Sequence, residues 1–366
     1  MIDLFDCVIF GAGPAGASAA YRLARAGYRV VAIAGDSQRL PACTGGVSPG
    51  IARLLDFDFT PVIEHTVRDV RYTWKNGDPV AITLEDTQAM WMVRRDRFDA
   101  LLRDQAVMAG ALLLATTATD AHLGDVDGQP CWTVHTGCGN FTARYAIVAG
   151  GACSSALNWI GGIRPALRSA ASLRVATTLT NSTNPPVVEF GLGQIDNGLL
   201  WCFPHDHSVS IGAASFLGKD DPHLTDRLLA YAQSHGWSAT RSDIRQRPLA
   251  LWSGDQPLHT DRAVIAGDAA GLTDPVTAEG IRPAIDSGLR AAEAIVAALQ
   301  DESHSSQALA RYTQTMQQTW GADFAWASRL AQILYRFPGL SYKVAIGKPI
   351  ANQLMARVLS GELRYS

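Results

Sequence analysis

Gly11, Gly13 and Gly16, in the run Gly11-Ala12-Gly13-Pro14-Ala15-Gly16, stand at the spacing that cradles a dinucleotide pyrophosphate. Gly11 permits a tight turn, Gly13 lets the backbone approach the phosphates, and Gly16 lets helix and strand pack closely. Pro14 and Ala15 open a helix whose free N–H groups and dipole attract negative charge. Asp268, within Gly267-Asp268-Ala269-Ala270-Gly271, offers a carboxylate able to satisfy sugar hydroxyls. Cys43, in Pro41-Ala42-Cys43-Thr44-Gly45-Gly46, offers a thiol whose reactivity depends on its surroundings; the plainer reading is a buried apolar cysteine. Trp201 and Phe203 alternate with Cys202, so they share one face of a strand, as a cavity wall or as ordinary sheet core. Pro204 is expected to end that strand. His205, Asp206 and His207 lack a third ligand at metal spacing and read as a solvated turn. Arg94, Arg95 and Arg97 at a helix start oppose the dipole, which favours a phosphate partner for at least one of them.

These residues must be held by elements that the pattern also supplies. Phe5–Phe10 and Tyr28–Ile33 read as strands on either side of a helix over Ala17–Ala26, the context in which the glycine spacing means nucleotide binding. On these residues alone, NAD, NADP and FAD are all open. Val67–Trp74 and Val80–Leu84 read as a hairpin turning at Asn76-Gly77, foreign to a parallel nucleotide sheet and therefore part of an inserted domain. Asp96–Gly110 has helical apolar spacing, Ala111–Leu114 reads as a short buried strand, and Cys131–His135 and Asn140–Val148 as further strands. Ser172–Thr180, Val187–Phe190, Leu199–Phe203 and Ser208–Ala213 predict an antiparallel sheet. Ala263–Gly271 returns to a buried strand and turn, and Glu279–Gln300 reads as a long helix. The aromatic run from Trp320 to Tyr342 reads first as core packing.

A hydrophobic fraction of 47% and a charged fraction of 18% over 366 residues describe a folded globular protein. A net charge of −3 gives no electrostatic case for nucleic acid. The six cysteines form no C-x-x-C pair or zinc-like grouping, so no metal is expected, and Cys7 reads as a small buried apolar residue. The first strand begins almost at Met1 and no apolar run approaches the ~20 residues that cross a bilayer, so the expectation is a cytoplasmic protein.

Five separated segments together resemble the p-hydroxybenzoate hydroxylase superfamily of flavoproteins and, within it, the geranylgeranyl reductase family. They are Gly11–Gly16; Arg95-Asp96-Arg97-Phe98-Asp99; Gly267–Gly271 followed by Pro275 and Glu279-Gly280-Ile281; Cys43-Thr44-Gly45-Gly46; and Trp201–Pro204 with Gly212. The ending Ser360–Tyr365 is similar as well. The resemblance implies FAD, with Arg95 touching the cofactor, Asp268 on the ribityl chain, and Gly280 and Ile281 bordering the flavin ring. It places Gly45 and Gly46 beside the flavin, Cys43 as proton donor or positioning group, and Trp201, Phe203, Pro204 and Gly212 in the substrate sheet. NADPH or ferredoxin would supply electrons, and the substrate would be a lipid or other apolar molecule. Such a substrate would give the C-terminal aromatics a second use as a peripheral membrane contact. Two departures stand out: Ala34 replaces the acid usual for the adenosine ribose, leaving Asp36 nearest, and Gly150-Gly151 replaces an Asp-Gly pair.

The expected fold is α/β: a Rossmann-like FAD-binding domain over 1–60, 95–165 and 248–305, an inserted antiparallel-sheet substrate domain over 61–94 and 166–247, and a helical region over 306–366. The expected activity is saturation of C=C bonds in an isoprenoid or similarly apolar chain. A flavin monooxygenase or halogenase acting on an aromatic compound, and a non-catalytic FAD-binding or assembly protein, are the alternatives.

Overall fold

A computed structural model describes residues 4–35, 44–177, 187–301, 305–346 and 348–365. Its first layer is an eight-stranded sheet whose central strands, Val30–Ile33, Leu4–Phe10, Gly139–Val148 and Ala263–Ile265, are parallel neighbours. Near-continuous apolar sequence in these strands matches burial on both faces, as parallel sheets require. Leu112–Leu114 is the edge strand, with Leu112 45% exposed, so the short strand expected to be buried is half open. Ala118–Val126, not foreseen, forms an antiparallel hairpin with Gln129–Thr136 on the other side of Gly139–Val148.

Two helices cover the site side of this sheet. Helix α1 (Pro14–Arg25) follows Gly13, and α2 (Arg95–Met108) buries Phe98, Leu102 and Ala106 while leaving Val107 exposed. Helix α3 (Ile281–Gln300) lies against α1 at a point where Gly288 meets the carbonyl of Ala15 so closely that any Cβ would collide with it.

The second layer is a seven-stranded sheet in the order Ile244–Gln246, Ala170–Ala176, Ser208–Ser215, Gly198–His205, Val187–Leu192, Asp69–Trp74 and Gly77–Thr83. It is not wholly antiparallel as predicted, because Val187–Leu192 runs parallel to Asp69–Trp74. The hairpin turns at Lys75-Asn76, both with positive φ, and Gly77 pairs with Trp74, one residue away from the expected turn. Pro204 does not end its strand: it faces Val209, and the strand reaches His205. A small sheet of Gly46–Val47, Met90–Val93 and Ile63–Val67 lies beside it. The fold is thus a Rossmann-like nucleotide domain carrying an inserted sheet, followed by C-terminal helices including α4 (Ala322–Arg336). Among the described residues no helix is long and apolar enough to cross a membrane.

Candidate functional site

The glycine turn is built as its spacing predicts. Gly11 has φ +110°, and a Cβ on Gly16 would run into the Gly11 carbonyl, so helix and turn can approach only without side chains there. A Cβ on Gly13 would meet nothing within 4 Å, which leaves open space in front of the helix N-terminus. Among the described residues no side chain caps α1, and its first turn carries no acid, so the helix itself sets no carboxylate against its leading N–H groups.

The second turn docks onto the first. Gly267 lies where a Cβ would come 2.9 Å from the Ala15 side chain, and its N–H donates to Ser287 Oγ on α3 at 3.0 Å. Asp268, next in sequence, has one side-chain donor among the described residues, Thr273 Oγ1 at 3.4 Å. Burial pushes its carboxyl above the ordinary range, with the Arg247 and Arg95 charges pulling the other way. A half-buried carboxylate so thinly supplied with donors suits a polyhydroxylated chain. Gly280, where α3 begins, lies close enough that a Cβ would sit 3.3 Å from Asp268 Oδ1. Ile281 is buried as the first residue of α3.

Arg95 pairs with Asp99 through Nε at 2.9 Å and Nη2 at 3.0 Å, and Arg94 pairs with Asp96. The helix therefore supplies its own carboxylates for the cations that sequence reasoning assigned to a phosphate, although the Arg95 charge still reaches Asp268. The other departures also gain a local account. Ala34 and Gly35 donate their N–H groups to Leu114 and Thr116, extending the edge pairing. Gly150 packs so near Gly11 that a Cβ on Gly11 would lie 2.7 Å from the Gly150 Cα. Asp36 and Cys43 lie outside the described residues.

Thr44, directly after Cys43, is where two distant motifs join. Trp201 Nε1 donates to Thr44 Oγ1 at 2.7 Å, and His205 Nε2 lies 2.9 Å from the Thr44 carbonyl. Gly45, with φ +88°, closes on the Val93 carbonyl, and Gly46 closes on the Phe203 ring; neither leaves room for a Cβ. The indole of Trp201 lies across its strand neighbour Gly212. Trp201 and Phe203 belong to one apolar cluster with Tyr72, Phe190, Met92, Val276 and the inner face of α4. The structure thus brings Trp201, Phe203, Gly212, Gly45 and Gly46 together, and gives both glycines a packing reason that needs no cofactor.

His205 corrects the reading of a solvated turn. It is 1% exposed, while Asp206 and His207 beyond it are exposed. Its Nδ1 lies 2.7 Å from Glu64 Oε2. Both ring nitrogens therefore face acceptors, and only a doubly protonated ring donates to both; burial opposes that charge and holds the pKa below the ordinary histidine value. Nothing in the local sequence marks Glu64 as its partner. Another grouping hidden from spacing lies far from here, where the register of the hairpin brings Asp120, His122 and His135 ligand atoms within 4.8 Å of one another.

The residues fit FAD: an open helix N-terminus for the pyrophosphate, Asp268 for the ribityl hydroxyls, and Gly280 and Ile281 at the start of a second helix. The family model described as lycopene cyclase protein matches residues 6–342. The chain is similar to geranylgeranyl diphosphate reductase of Rhodobacter capsulatus, 29% identical over 317 residues that cover 84% of this chain and 79% of that protein. It is also 27% identical over 349 residues to digeranylgeranylglycerophospholipid reductase 1 of Methanothermobacter thermautotrophicus, covering 89% and 85%. Among solved structures, a geranylgeranyl bacteriochlorophyll reductase-like protein of Thermoplasma acidophilum superposes with a TM-score of 0.79 at 21% identity, covering 92% of this chain and 88% of that one, which shows the shared fold.

Proposed function

The chain belongs to the lycopene cyclase protein family, within the superfamily of FAD-dependent oxidoreductases, and from that premise we propose that it reduces carbon–carbon double bonds of an isoprenoid or similarly apolar chain. The observation that carries this reading is the junction at Thr44, where the Trp201 indole and the Phe203 ring hold the loop following Cys43. An apolar wall is thereby fixed to the segment that bears a thiol.

FAD, once bound and reduced by two electrons from NADPH or ferredoxin, would supply a hydride to one alkene carbon. The chain's own residues do the rest. The α1 N-terminus holds the pyrophosphate, with Gly13 leaving space for it, and Asp268 accepts from ribityl hydroxyls. Trp201 and Phe203 orient the apolar substrate and keep water out. Cys43 gives a proton to the second alkene carbon from its Sγ–H, or positions the group that does. Arg95, locked by Asp99, provides fixed positive charge on the cofactor side.

The FAD-loaded protein is tested anaerobically with NADPH and a polyprenyl diphosphate. NADPH oxidation that depends on the lipid, with a product carrying two more hydrogens per bond, supports the proposal. In a parallel aerated assay containing halide, substrate-dependent oxygen uptake giving a hydroxylated or halogenated product sinks it. So does an isomer of unchanged mass, which the family model's name makes the second reading: a cyclisation. Cys43→Ala is expected to lower turnover while leaving the bound-flavin spectrum unchanged.

A further inference from the structure

Between Asp323 and Glu362 the chain carries Arg329, Arg336, Lys343, Lys348 and Arg357 and no acidic residue, although its net charge is −3. The fold divides the apolar residues of this stretch into two sets. Phe324, Ala327, Ala331 and Tyr335 turn inward, with Tyr335 stacked on Phe216 at 5.0 Å and its hydroxyl donating to the Val276 carbonyl. Trp326, Leu330, Ile333 and Phe337 recur at helical spacing on the opposite side and stay 52%, 38%, 63% and 58% exposed. Leu340 and Val344 continue the exposed line past the end of α4 at 65% and 60%.

Isolated exposed apolar residues are ordinary, but six large ones so exposed between Trp326 and Val344 are not. The cations sit beside it. Arg329 lies 4.8 Å over the Trp326 ring, and Arg336, seven residues on, occupies the same shoulder of the helix. An apolar crest with a basic shoulder and no acid matches a helix lying in the headgroup region of an anionic bilayer. A second copy fits poorly, since a two-fold pairing across this line would bring the cations of both copies together with no acidic residue of the stretch to meet them.

We propose that the outer face of α4, continued by Phe337, Leu340 and Val344, docks this protein on a lipid surface bearing negative headgroups. This deepens the proposed function by naming where an apolar substrate would be met, and it rests on that reading only for that purpose. The crest and the site lie on one body: the inner face of α4 packs into the cluster that contains Trp201 and Phe203.

The test is co-sedimentation of the FAD-loaded full chain with vesicles of phosphatidylcholine, with or without phosphatidylglycerol. Binding to the anionic vesicles is expected, weakened by added salt, and reduced about tenfold or more in Ile333→Glu/Phe337→Glu and, separately, in Arg329→Glu/Arg336→Glu. Both pairs are exposed, so thermal unfolding midpoints should match wild type. Equal sedimentation of all three proteins with anionic vesicles overturns the proposal. So does a concentration-dependent dimer in analytical ultracentrifugation, without vesicle binding, that the crest variant dissolves. Vesicle binding needs no turnover, so failure of the reductase assay and failure of docking are separate results.

Discussion

The indole N–H of Trp201 and the hydroxyl of Thr44, 157 residues apart in sequence, meet in a 2.7 Å hydrogen bond that ties the seven-stranded sheet to the loop following Cys43. The ring needs the bare Gly212 beneath it and the loop needs the bare Gly46 beneath Phe203. The junction is therefore specified by two aromatic residues and by the glycines that receive them.

Gly212→Ala should damage this junction more than Trp201→Phe. The first forces the indole off its sheet, an overpacking cost of about 1–3 kcal/mol. The second loses one hydrogen bond, about 0.5–1.5 kcal/mol, and trades the indole for a smaller phenyl around which the apolar cluster can partly close. Urea unfolding of the two variants checks the order.

The neighbouring glycines should also rank. At Gly45 a Cβ meets the fixed Val93 carbonyl in a backbone with φ +88°, so Gly45→Ala adds about 1–2 kcal/mol of backbone strain to its clash. At Gly46 the obstacle is the Phe203 ring, which can turn aside. Gly46→Ala is expected to be the milder variant in thermal unfolding. A Gly46→Ala protein less stable than Gly45→Ala would show that Phe203 is immovable.

Asp268→Asn should separate stability from cofactor binding. Burial raises the Asp268 pKa, so in flavin-free protein its contribution to stability is greatest when it is protonated and is lost as pH rises from the unfolded value near ~3.9 through the raised one. The Asn variant lacks this loss, and its stability relative to wild type should rise over that window and then level. Its FAD affinity should fall about tenfold or more, because the charged acceptor is gone. Urea titrations across pH and flavin fluorescence titrations read the two effects.

His205→Ala leaves the Glu64 carboxylate and the Thr44 carbonyl without their buried partner, at about 1–3 kcal/mol. Because burial lowers the His205 pKa, the unfolded chain takes up this proton more readily than the folded one. Its contribution is fully present above the unfolded value near ~6.5 and is lost as pH falls below it towards the lowered value. The variant should lack that decline. An identical pH profile in both proteins would mean that folding leaves the ring's pKa unshifted, and a stability lost instead as pH rises would mean that the ring is charged in the fold.

Tyr365→Phe tests the chain's end. The Tyr365 hydroxyl donates to buried Asp274 at 3.0 Å, while the Gly361 carbonyl accepts from Arg53 at 3.1 Å and Arg282 at 3.0 Å. Removing the hydroxyl leaves Asp274 with Thr277 and the backbone N–H of Val276 as its donors, costing about 1–3 kcal/mol. A lowered midpoint in thermal unfolding is the expected result.

The sequence by itself determined the features that depend on neighbours along the chain. A turn with φ +110° at Gly11 and a strand, turn and helix in succession are local consequences of residue type, and they appeared where spacing put them. The Gly267–Gly271 turn and α3 were legible for the same reason. What only the tertiary structure decided depends on what fills the space opposite a side chain. His205 looked like part of a polar turn until Glu64 and the Thr44 carbonyl closed around it. Arg94 and Arg95 meet Asp96 and Asp99, pairings that the basic spacing alone did not mark. The aromatic tail held both inward and outward residues, and its α-helical period marks two faces without saying which one another surface will cover. Burial is a property of pairs of distant segments, so a pattern read along one segment cannot fix it.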